Sequence, residues 1–236
     1  MKADMIKYDL RKRLFIGPTS LDHMLAFITC NLAKVTGDSI ALDPFVGTAS
    51  LLVAASHFNA CCFGSDIDIR VLRGDMYAGQ ADKKKDQRRR DILANFHQYG
   101  LQIPELIRVD NHLFDKHYQC SGMIPTLQNF YDVIITDPPY GIRAGARKSG
   151  RKNCSYVVPP EKRHDHCPHT QSYKVEEVML DLLHTAAISL KLGGLLAYLI
   201  PTPYDFDVNV DLPLHPCLKL TQVCFKSFYR HYIMFL

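Results

Sequence analysis

The apolar segment from Tyr131 to Thr136 constrains the fold of this chain more than any other stretch. It is rich in β-branched residues, and Asp137-Pro138-Pro139-Tyr140 follows it directly. A short continuous apolar run is typical of a parallel strand that is covered on both faces. Proline cannot donate a hydrogen bond to a central strand ladder, so the strand must end before Pro138. The sequence therefore predicts an α/β fold with Asp137 to Tyr140 in the loop after a central strand.

This loop combines a carboxylate, two rigid prolines and an aromatic ring. In open α/β sheets, ligands bind at the carboxyl ends of the strands. An exocyclic amine on a nucleobase shares its lone pair with the ring, so it is a poor nucleophile until acceptors hold its protons. The Asp137 carboxylate and the Pro138 carbonyl are suitable acceptors, and Tyr140 can stack on the base. We predict these three residues to be the catalytic group.

The composition is that of an ordinary globular protein. The chain has 236 residues, 47% hydrophobic and 22% charged, which is enough for one well-filled core, and we expect a single domain. It shows no apolar run of about eighteen residues and no secretory leader, so we expect a soluble, cytoplasmic protein without membrane association. The eight cysteines include no C-x-x-C pair, and most are predicted to be reduced and buried. The net charge of +4 permits a nucleic-acid partner without requiring one.

A predicted first strand, Ser39 to Phe45, leads into the glycine-bearing loop Asp43 to Ser50 and a helix from Leu51 to Phe58. Such a loop lets a ligand approach the backbone at the N-terminus of a helix. The G-x-G-x-x-G fingerprint and a P-loop lysine are both absent, which argues against a dinucleotide site and a P-loop site. A short glycine turn also serves simple packing, so both interpretations stay open at this point.

Acidic residues follow the next two predicted strands. The strand from Ala60 to Ile67 ends near Asp66, at the distance from the first loop where Rossmann-like sites hold ribose hydroxyls. We favour Asp66 over Asp68, which is also a good N-cap for the following helix. The strand from Leu106 to Val109 ends at Asp110-Asn111.

The remaining elements follow from periodicity and caps. Met1 to Gly17 is a basic leading arm, interpreted as solvated, with an RNA-phosphate contact as the alternative. Thr19 or Ser20 is the predicted cap of a helix from Leu21 to Lys34. The other predicted elements are helices 91–99 and 175–190, a turn at 191–194, a strand 195–200 and an antiparallel pair 218–228 and 231–236.

Two long polar segments carry most of the clustered positive charge. Residues 74–90 contain two basic triplets, interpreted as a solvated face or as a phosphate-binding edge. Residues 143–171 form a loop long enough to be functional. Its potential metal ligands fit no zinc spacing, so no metal site is predicted; they are Cys154, His164, His166, Cys167 and His169.

Six segments occur in an order that resembles one enzyme family. They are Tyr8-Asp9-Leu10, Gly17-Pro18-Thr19-Ser20-Leu21-Asp22, Asp43-Pro44-Phe45-Val46-Gly47-Thr48, Asp66-Ile67-Asp68, residues 95–101 and Asp137-Pro138-Pro139-Tyr140-Gly141-Ile142-Arg143. Together they resemble the catalytic domain of the tRNA guanosine-10 N2-methyltransferase family, which methylates an exocyclic amine. The resemblance implies a Rossmann-like class I methyltransferase fold, with a seven-stranded, mostly parallel sheet of order 3-2-1-4-5-7-6 and helices on both faces.

The resemblance also implies S-adenosylmethionine as cofactor. The glycine loop would face its methionine portion, Asp66 its ribose and Asp110-Asn111 its adenine. The implied cofactor-binding residues are Thr19, Asp43, Gly47, Thr48, Asp66, Asp110 and Asn111. The family loop usually has glycine where this chain has Ala49. If that position needs a left-handed backbone, alanine costs about 1–2 kcal/mol.

The implied partners are tRNA and a small zinc-binding activator protein, for which we predict the edge of the third strand. The family has a THUMP-containing RNA-binding region before the catalytic domain, and the sequence has no room for it before Tyr8. We therefore expect phosphate contacts from Arg143, Arg147, Lys148 and Arg151.

Three other functions stay open. The Asp137 motif also suits an adenine-N6 or cytosine-N4 methyltransferase, because it recognises an amine and not one base. Ala49 and the absent RNA-binding region favour a non-catalytic module that keeps the fold. A dehydrogenase is the third alternative, and the missing glycine fingerprint argues against it.

Overall fold

The structure is a computed structural model that describes residues 5–17, 19–74, 91–115, 129–140, 145–150, 159, 169–201, 205–227 and 230–235. Nine strands are found in these residues: β1 Ile40–Asp43, β2 Cys61–Asp66, β3 Glu105–Arg108, β4 Tyr131–Thr136, β5 Arg147–Ser149, β6 Thr170–Ser172, β7 Leu190–Pro201, β8 Leu220–Ser227 and β9 Arg230–Phe235. The α-helices described are α1 His23–Leu32, α2 Ser50–His57, α3 Ile69–Leu72, α4 Ile92–Tyr99, α5 Val175–Ser189 and α6 Val208–Asp211.

Seven of these strands form one sheet in the order β3-β2-β1-β4-β7-β9-β8. Strands β3, β2, β1, β4 and β7 are parallel, and β9 is antiparallel to both β7 and β8. When the strands of this sheet are numbered in chain order, their spatial order is 3-2-1-4-5-7-6, and strand 7 (β9) is the antiparallel one. The predicted topology is therefore confirmed. Strands β5 and β6 form a separate antiparallel ribbon.

The central position predicted for Tyr131 to Thr136 is also confirmed. Strand β4 lies between β1 and β7, and Val133, Ile134 and Ile135 are buried. Apolar side chains pack on both faces of the sheet, because Val133 and Ile135 belong to one buried cluster and Ile134 to another. The four consecutive buried residues Val133 to Thr136 therefore had to be apolar or small, which is the pattern that marked the strand in the sequence.

The prediction of a turn at Lys191 to Gly194 before the strand is wrong. These residues lie inside β7, where the register jumps from the pair Tyr131–Leu190 to the pair Val133–Leu195. The extra residues bulge out of the strand, with Gly193 at φ +81° and Leu192 fully exposed. The two glycines thus allow an irregularity within the ladder instead of a chain reversal.

The prediction that the leading arm is solvated is also wrong for residues 5–17, because they pack on the rest of the domain. Tyr8 and Phe15 are buried, and the Tyr8 hydroxyl lies 2.9 Å from His57 Nδ1. Arg13 is only 7% exposed, donating to the Tyr8 carbonyl and, at 2.8 Å, to Ser50 Oγ. The Arg13 guanidinium thus helps to fix the arm beside α2.

Two smaller predictions also need correction. The cap of α1 is Asp22, whose carboxylate accepts from the Met24 and Leu25 N–H groups, and not Thr19 or Ser20. Among the described cysteines, Cys30 and Cys62 are buried, whereas Cys61 and Cys217 are exposed and Cys224 is half-buried. Gly100 ends α4 in the left-handed conformation. None of the described helices combines the length and the apolar character needed to span a membrane.

Candidate active site at the carboxyl edge of the sheet

The loop between β1 and α2 makes two left-handed turns. Gly47 has φ +48°, and Ala49, the N-cap of α2, has φ +60° and ψ +31°. Ala49 therefore has the left-handed backbone in which alanine costs more conformational free energy than glycine. The left-handed residues turn the loop back towards the sheet, where the Gly47 N–H donates to Asp66 Oδ2 at 3.3 Å.

Asp66, at the end of β2, is held by the glycine loop and by its own strand end. Besides Gly47, its carboxylate accepts from the Asp68 N–H at 2.9 Å. Burial is the main cause that raises the pKa of Asp66 to about 6. Asp68 instead caps α3 and pairs with Arg70 at 2.6 Å, as the alternative interpretation of Asp68 predicted. Asp66 is therefore the carboxylate that belongs to the loop, which supports the choice of Asp66 over Asp68.

Asp43, at the end of β1, is 2% exposed. Its Oδ1 accepts from Thr136 Oγ1 at 2.7 Å and from the Phe45 N–H at 3.1 Å. Burial is the largest cause that raises the pKa of Asp43 to about 7, and the negative charges of Asp137 and Asp66 add to it. The parallel strands β2, β1 and β4 thus bring three carboxylates together at one edge of the sheet.

The predicted catalytic residues lie immediately after β4. Asp137 is half-buried and Pro138 is buried. The Tyr140 hydroxyl contacts both the Asp137 Oδ1 atom and the Leu199 carbonyl oxygen of β7. The sequence predicted that the ring of Tyr140 stacks on a base. It did not predict that the Tyr140 hydroxyl would contact the Asp137 carboxylate.

Asp110 and Asn111 lie beyond β3, where the short 3₁₀ helix Asn111–Leu113 begins. Both residues are buried. Asp110 accepts from the His112 N–H at 3.0 Å and from the Ser149 N–H of β5 at 2.6 Å, and Asn111 accepts from Thr185 Oγ1 of α5 at 3.1 Å. The segment predicted to bind adenine is therefore bonded directly to the ribbon that follows the catalytic loop.

The residues predicted to contact RNA differ in their surroundings. Lys148 pairs with Glu177 at 2.9 Å and lies over the ring of Tyr173, with 12% of its side chain exposed. Arg147 is exposed and donates to Thr170 of β6. Arg143 and Arg151 lie outside the described residues. Lys148 is thus already used to hold the ribbon on α5, while Arg147 presents its charge to solvent.

Sequence reasoning missed three polar residues near the site. Ser20 Oγ accepts from the Gly17 N–H and lies 2.8 Å from Thr48 Oγ1, whereas Thr19 is exposed. The others are Thr136, which bonds Asp43, and Arg13, which bonds Ser50. A buried threonine at the end of an otherwise apolar strand was a visible signal for Thr136. Nothing in the local sequence distinguished Arg13 from its basic neighbours.

The three carboxylates at this edge of the sheet match a cationic ligand that carries hydroxyl groups. Asp43, Asp66 and Asp137 supply negative charge and hydrogen-bond acceptors, matching an ammonium, a sulfonium and a ribose diol. Within the described residues, no group of three or more His, Cys, Asp or Glu side chains is arranged so that it could hold a metal ion. Cys154, His164, His166 and Cys167 lie outside the described residues.

Comparison with known proteins adds an independent result. Residues 11–154 match the UPF0020 family, described as an RMKL-like methyltransferase domain. The chain is 41% identical over 223 residues to "tRNA (guanine(10)-N(2))-methyltransferase TRMT11" of Dictyostelium discoideum, covering 93% of this chain and 40% of that protein. For the protein of the same name from Homo sapiens, identity is 36% over 230 residues, covering 95% and 48%. The chain spans less than half the length of these two relatives.

Among solved structures, TrmN from Thermus thermophilus is similar, with a TM-score of 0.56 and 19% identity. The match covers 92% of this chain and 49% of that chain. At this identity the likeness concerns the fold, and it agrees with the Rossmann-like sheet order described above.

Proposed function

Because the chain belongs to the UPF0020 family of methyltransferase domains, we propose that it methylates the N2 amine of a guanosine in tRNA, at position 10, with S-adenosylmethionine as cofactor. The observation that carries the proposal is the convergence of Asp43, Asp66 and Asp137 at one edge of the sheet, beside the loop with two left-handed residues. The two relatives are named as tRNA (guanine(10)-N(2))-methyltransferases, which supports the choice of guanine and of tRNA.

The cofactor would be held by groups of matching chemistry. Its ammonium group suits the Asp43 carboxylate, and its ribose hydroxyls suit Asp66. Gly47 and Thr48 would let the loop backbone approach the methionine portion, and the buried Asp110 and Asn111 would suit the adenine. Thr19 stays a predicted contact, and its neighbour Ser20, which bonds Thr48, is the better-placed hydroxyl.

When bound, S-adenosylmethionine supplies an electrophilic methyl group on a sulfonium. Asp137 accepts a proton from the guanine amine, and the Pro138 carbonyl holds the second amine proton. Tyr140 stacks on the base, which must be drawn out of its helix at a cost of a few kcal/mol. The amine nitrogen would receive the methyl group that the cofactor would supply, leaving a neutral thioether, and Asp137 would take the proton released from the nitrogen. Alignment supplies most of the rate enhancement, since no covalent intermediate is needed.

Two macromolecular contacts belong to the proposal. The RNA backbone would be held by Arg147 together with Arg143, Lys148 and Arg151. Lys148 would have to leave Glu177 to take part. The small zinc-binding activator would pair with β3, which is an edge strand with Glu105 and Ile107 exposed. Exposed strand edges of this kind readily accept a further strand.

Methyl transfer to unmodified tRNA tests the function, with and without the activator. We expect N2-methylguanosine as the product and a 100- to 10,000-fold lower turnover for Asp137→Ala, roughly the range for a positioned acid–base group. Binding of S-adenosylmethionine by Asp137→Ala should change far less. Nucleoside mass spectrometry decides the alternatives, because N6-methyladenosine or N4-methylcytidine would replace the guanine assignment. Absence of saturable cofactor binding would support the non-catalytic module.

A salt series on RNA binding tests the basic residues. Neutralising Arg143, Arg147, Lys148 and Arg151 should lower the slope of log affinity against log salt by roughly one unit per lost phosphate contact. The matched comparison neutralises the basic residues of 83–90. If only that second set lowers the slope, the assignment of the RNA contact is reversed.

A further inference from the structure

A hydrogen bond joins the end of β1, where the glycine loop begins, to the end of β4, which the predicted catalytic residues follow. Thr136 is the last residue of β4, and its hydroxyl donates at 2.7 Å to Oδ1 of Asp43, the last residue of β1. Thr136 is 0% exposed and Asp43 is 2% exposed. Asp137 follows Thr136 directly, and the glycine loop follows Asp43. The bond therefore lies between the two loops that the proposed reaction requires.

We propose that Thr136 is a positioning residue whose hydroxyl orients the Asp43 carboxylate and favours its charged form, so that this edge of the sheet can hold a cationic cofactor. This inference rests on the proposed function, since it assigns Asp43 to the ammonium group of S-adenosylmethionine.

Asp43 needs such a donor because its surroundings disfavour its charge. The titratable groups that face it in the described residues are Asp137 from the catalytic loop, Asp66 from β2 and Cys30 from α1. Two of these are carboxylates, and burial raises the pKa of the Cys30 thiol, which leaves it neutral. Burial itself raises the pKa of Asp43 to about 7, while the hydrogen bonds from Thr136 and the Phe45 N–H lower it. Of these two donors, the Thr136 hydroxyl is the one that a side-chain substitution can remove.

A purely structural role for the hydroxyl explains less. Strands β1 and β4 are already paired through Ala41–Val133 and Leu42–Ile134. Valine would keep the β-branched shape of Thr136 in the strand and would avoid burying a hydroxyl. The hydroxyl is thus not needed for strand pairing, and its partner is the carboxylate.

Thr136→Val removes the hydroxyl with little change of shape, and Thr136→Ser is the matched control that keeps the donor. Calorimetric titration with S-adenosylmethionine, from about pH 6 to about pH 9, gives the pH midpoint of binding for each protein. We expect wild-type affinity to fall as Asp43 is protonated near its pKa of about 7. The midpoint should rise by about 1 to 2 pH units in Thr136→Val, the size expected for one lost hydrogen bond to a charged group. Thr136→Ser should keep the wild-type midpoint.

An unchanged midpoint in Thr136→Val overturns the inference, and so does an equal shift in Thr136→Ser. Thermal unfolding without cofactor, measured across the same pH range, provides a second readout. The pKa of Asp43 is raised in the folded state, so this group loses its contribution to stability as the pH rises through that value. Thr136→Val should move this loss to higher pH, and coincident wild-type and valine profiles contradict the inference. If the wild type binds no cofactor at any pH while the unfolding profiles still differ, the proposed function fails and the Thr136–Asp43 coupling stands.

Discussion

The side chain of Asn95 forms two hydrogen bonds with the backbone of Phe15. Its Oδ1 accepts from the Phe15 N–H at 3.0 Å, and its Nδ2 donates to the Phe15 carbonyl at 2.8 Å. Gln98, one turn later on α4, bonds the Leu14 N–H and the Lys12 carbonyl in the same way. Helix α4 thus satisfies the backbone of the N-terminal arm as a neighbouring strand would.

Asn95→Ala should lower the free energy of unfolding by about 2–4 kcal/mol, because the buried N–H and carbonyl of Phe15 each lose their partner. Urea denaturation measures the loss. Asn31→Ala on α1, where the side chain is exposed, is the control and should change stability by less than about 0.5 kcal/mol. Equal effects of the two substitutions would show that the arm does not depend on Asn95.

Tyr140→Phe separates the ring of Tyr140 from its hydroxyl. The ring is expected to stack on the base, while the hydroxyl contacts Asp137 and Leu199. The phenylalanine variant should stay within about tenfold of wild-type kcat/KM, and Tyr140→Ala should lose about 10- to 100-fold through the lost stacking. Single-turnover methyl transfer distinguishes the two. A phenylalanine variant as defective as the alanine variant would assign the essential role to the hydroxyl.

Ala49→Gly should raise the free energy of unfolding by about 0.2–1.2 kcal/mol. Relief of the left-handed conformation at φ +60° stabilises the folded state by about 1–2 kcal/mol, and loss of the buried methyl group costs about 0.8 kcal/mol. Ala54→Gly, in the interior of the same helix, is the control and should destabilise by about 1 kcal/mol or more. Thermal unfolding of both variants decides. Destabilisation by Ala49→Gly would mean that alanine is not strained there.

The contribution of Asp43 and Asp66 to the stability of the free protein should fall as the pH rises from about 4 to about 7. In the folded state the pKa values of Asp43 and Asp66 are raised to about 7 and about 6, so the folded state binds protons that the unfolded chain releases at lower pH. The loss should be on the order of a few kcal/mol. Asp43→Asn should flatten the profile, and the exposed control Asp38→Asn should not change it. Identical pH profiles for the wild type and Asp43→Asn would contradict the raised pKa of Asp43.

The sheet was predictable because each parallel strand carries its own local mark. The six-residue apolar run, the glycine loop after β1 and the acidic ends of β2 and β3 are all contiguous in sequence. Caps were harder to predict, because Thr19, Ser20 and Asp22 are all good N-cap residues within four positions. Only the structure shows that Asp22 faces the first free N–H groups while Ser20 faces Thr48.

Contacts between distant segments could not be predicted from local patterns. The partners of the arm, Asn95 and Gln98, lie about eighty residues away and look like ordinary residues of an amphipathic helix. Lys148 looked like one of several basic residues in a polar loop, and its pairing with Glu177 depends on how the ribbon lies on α5. The short-range motif around Asp137 likewise gave no indication that the Tyr140 hydroxyl would contact β7.

The β5–β6 ribbon also bears on how freely this region can change in length. Gly150 donates to the His169 carbonyl at 3.0 Å, so the two ends of the intervening segment are held together. The entropy of closing such a loop grows only with the logarithm of its length, and doubling the length adds about 0.6 kcal/mol. Insertions between Gly150 and His169 should therefore be tolerated while the sheet stays unchanged. A segment of different length could thus be accommodated between these two residues without moving the three carboxylates at the edge of the sheet.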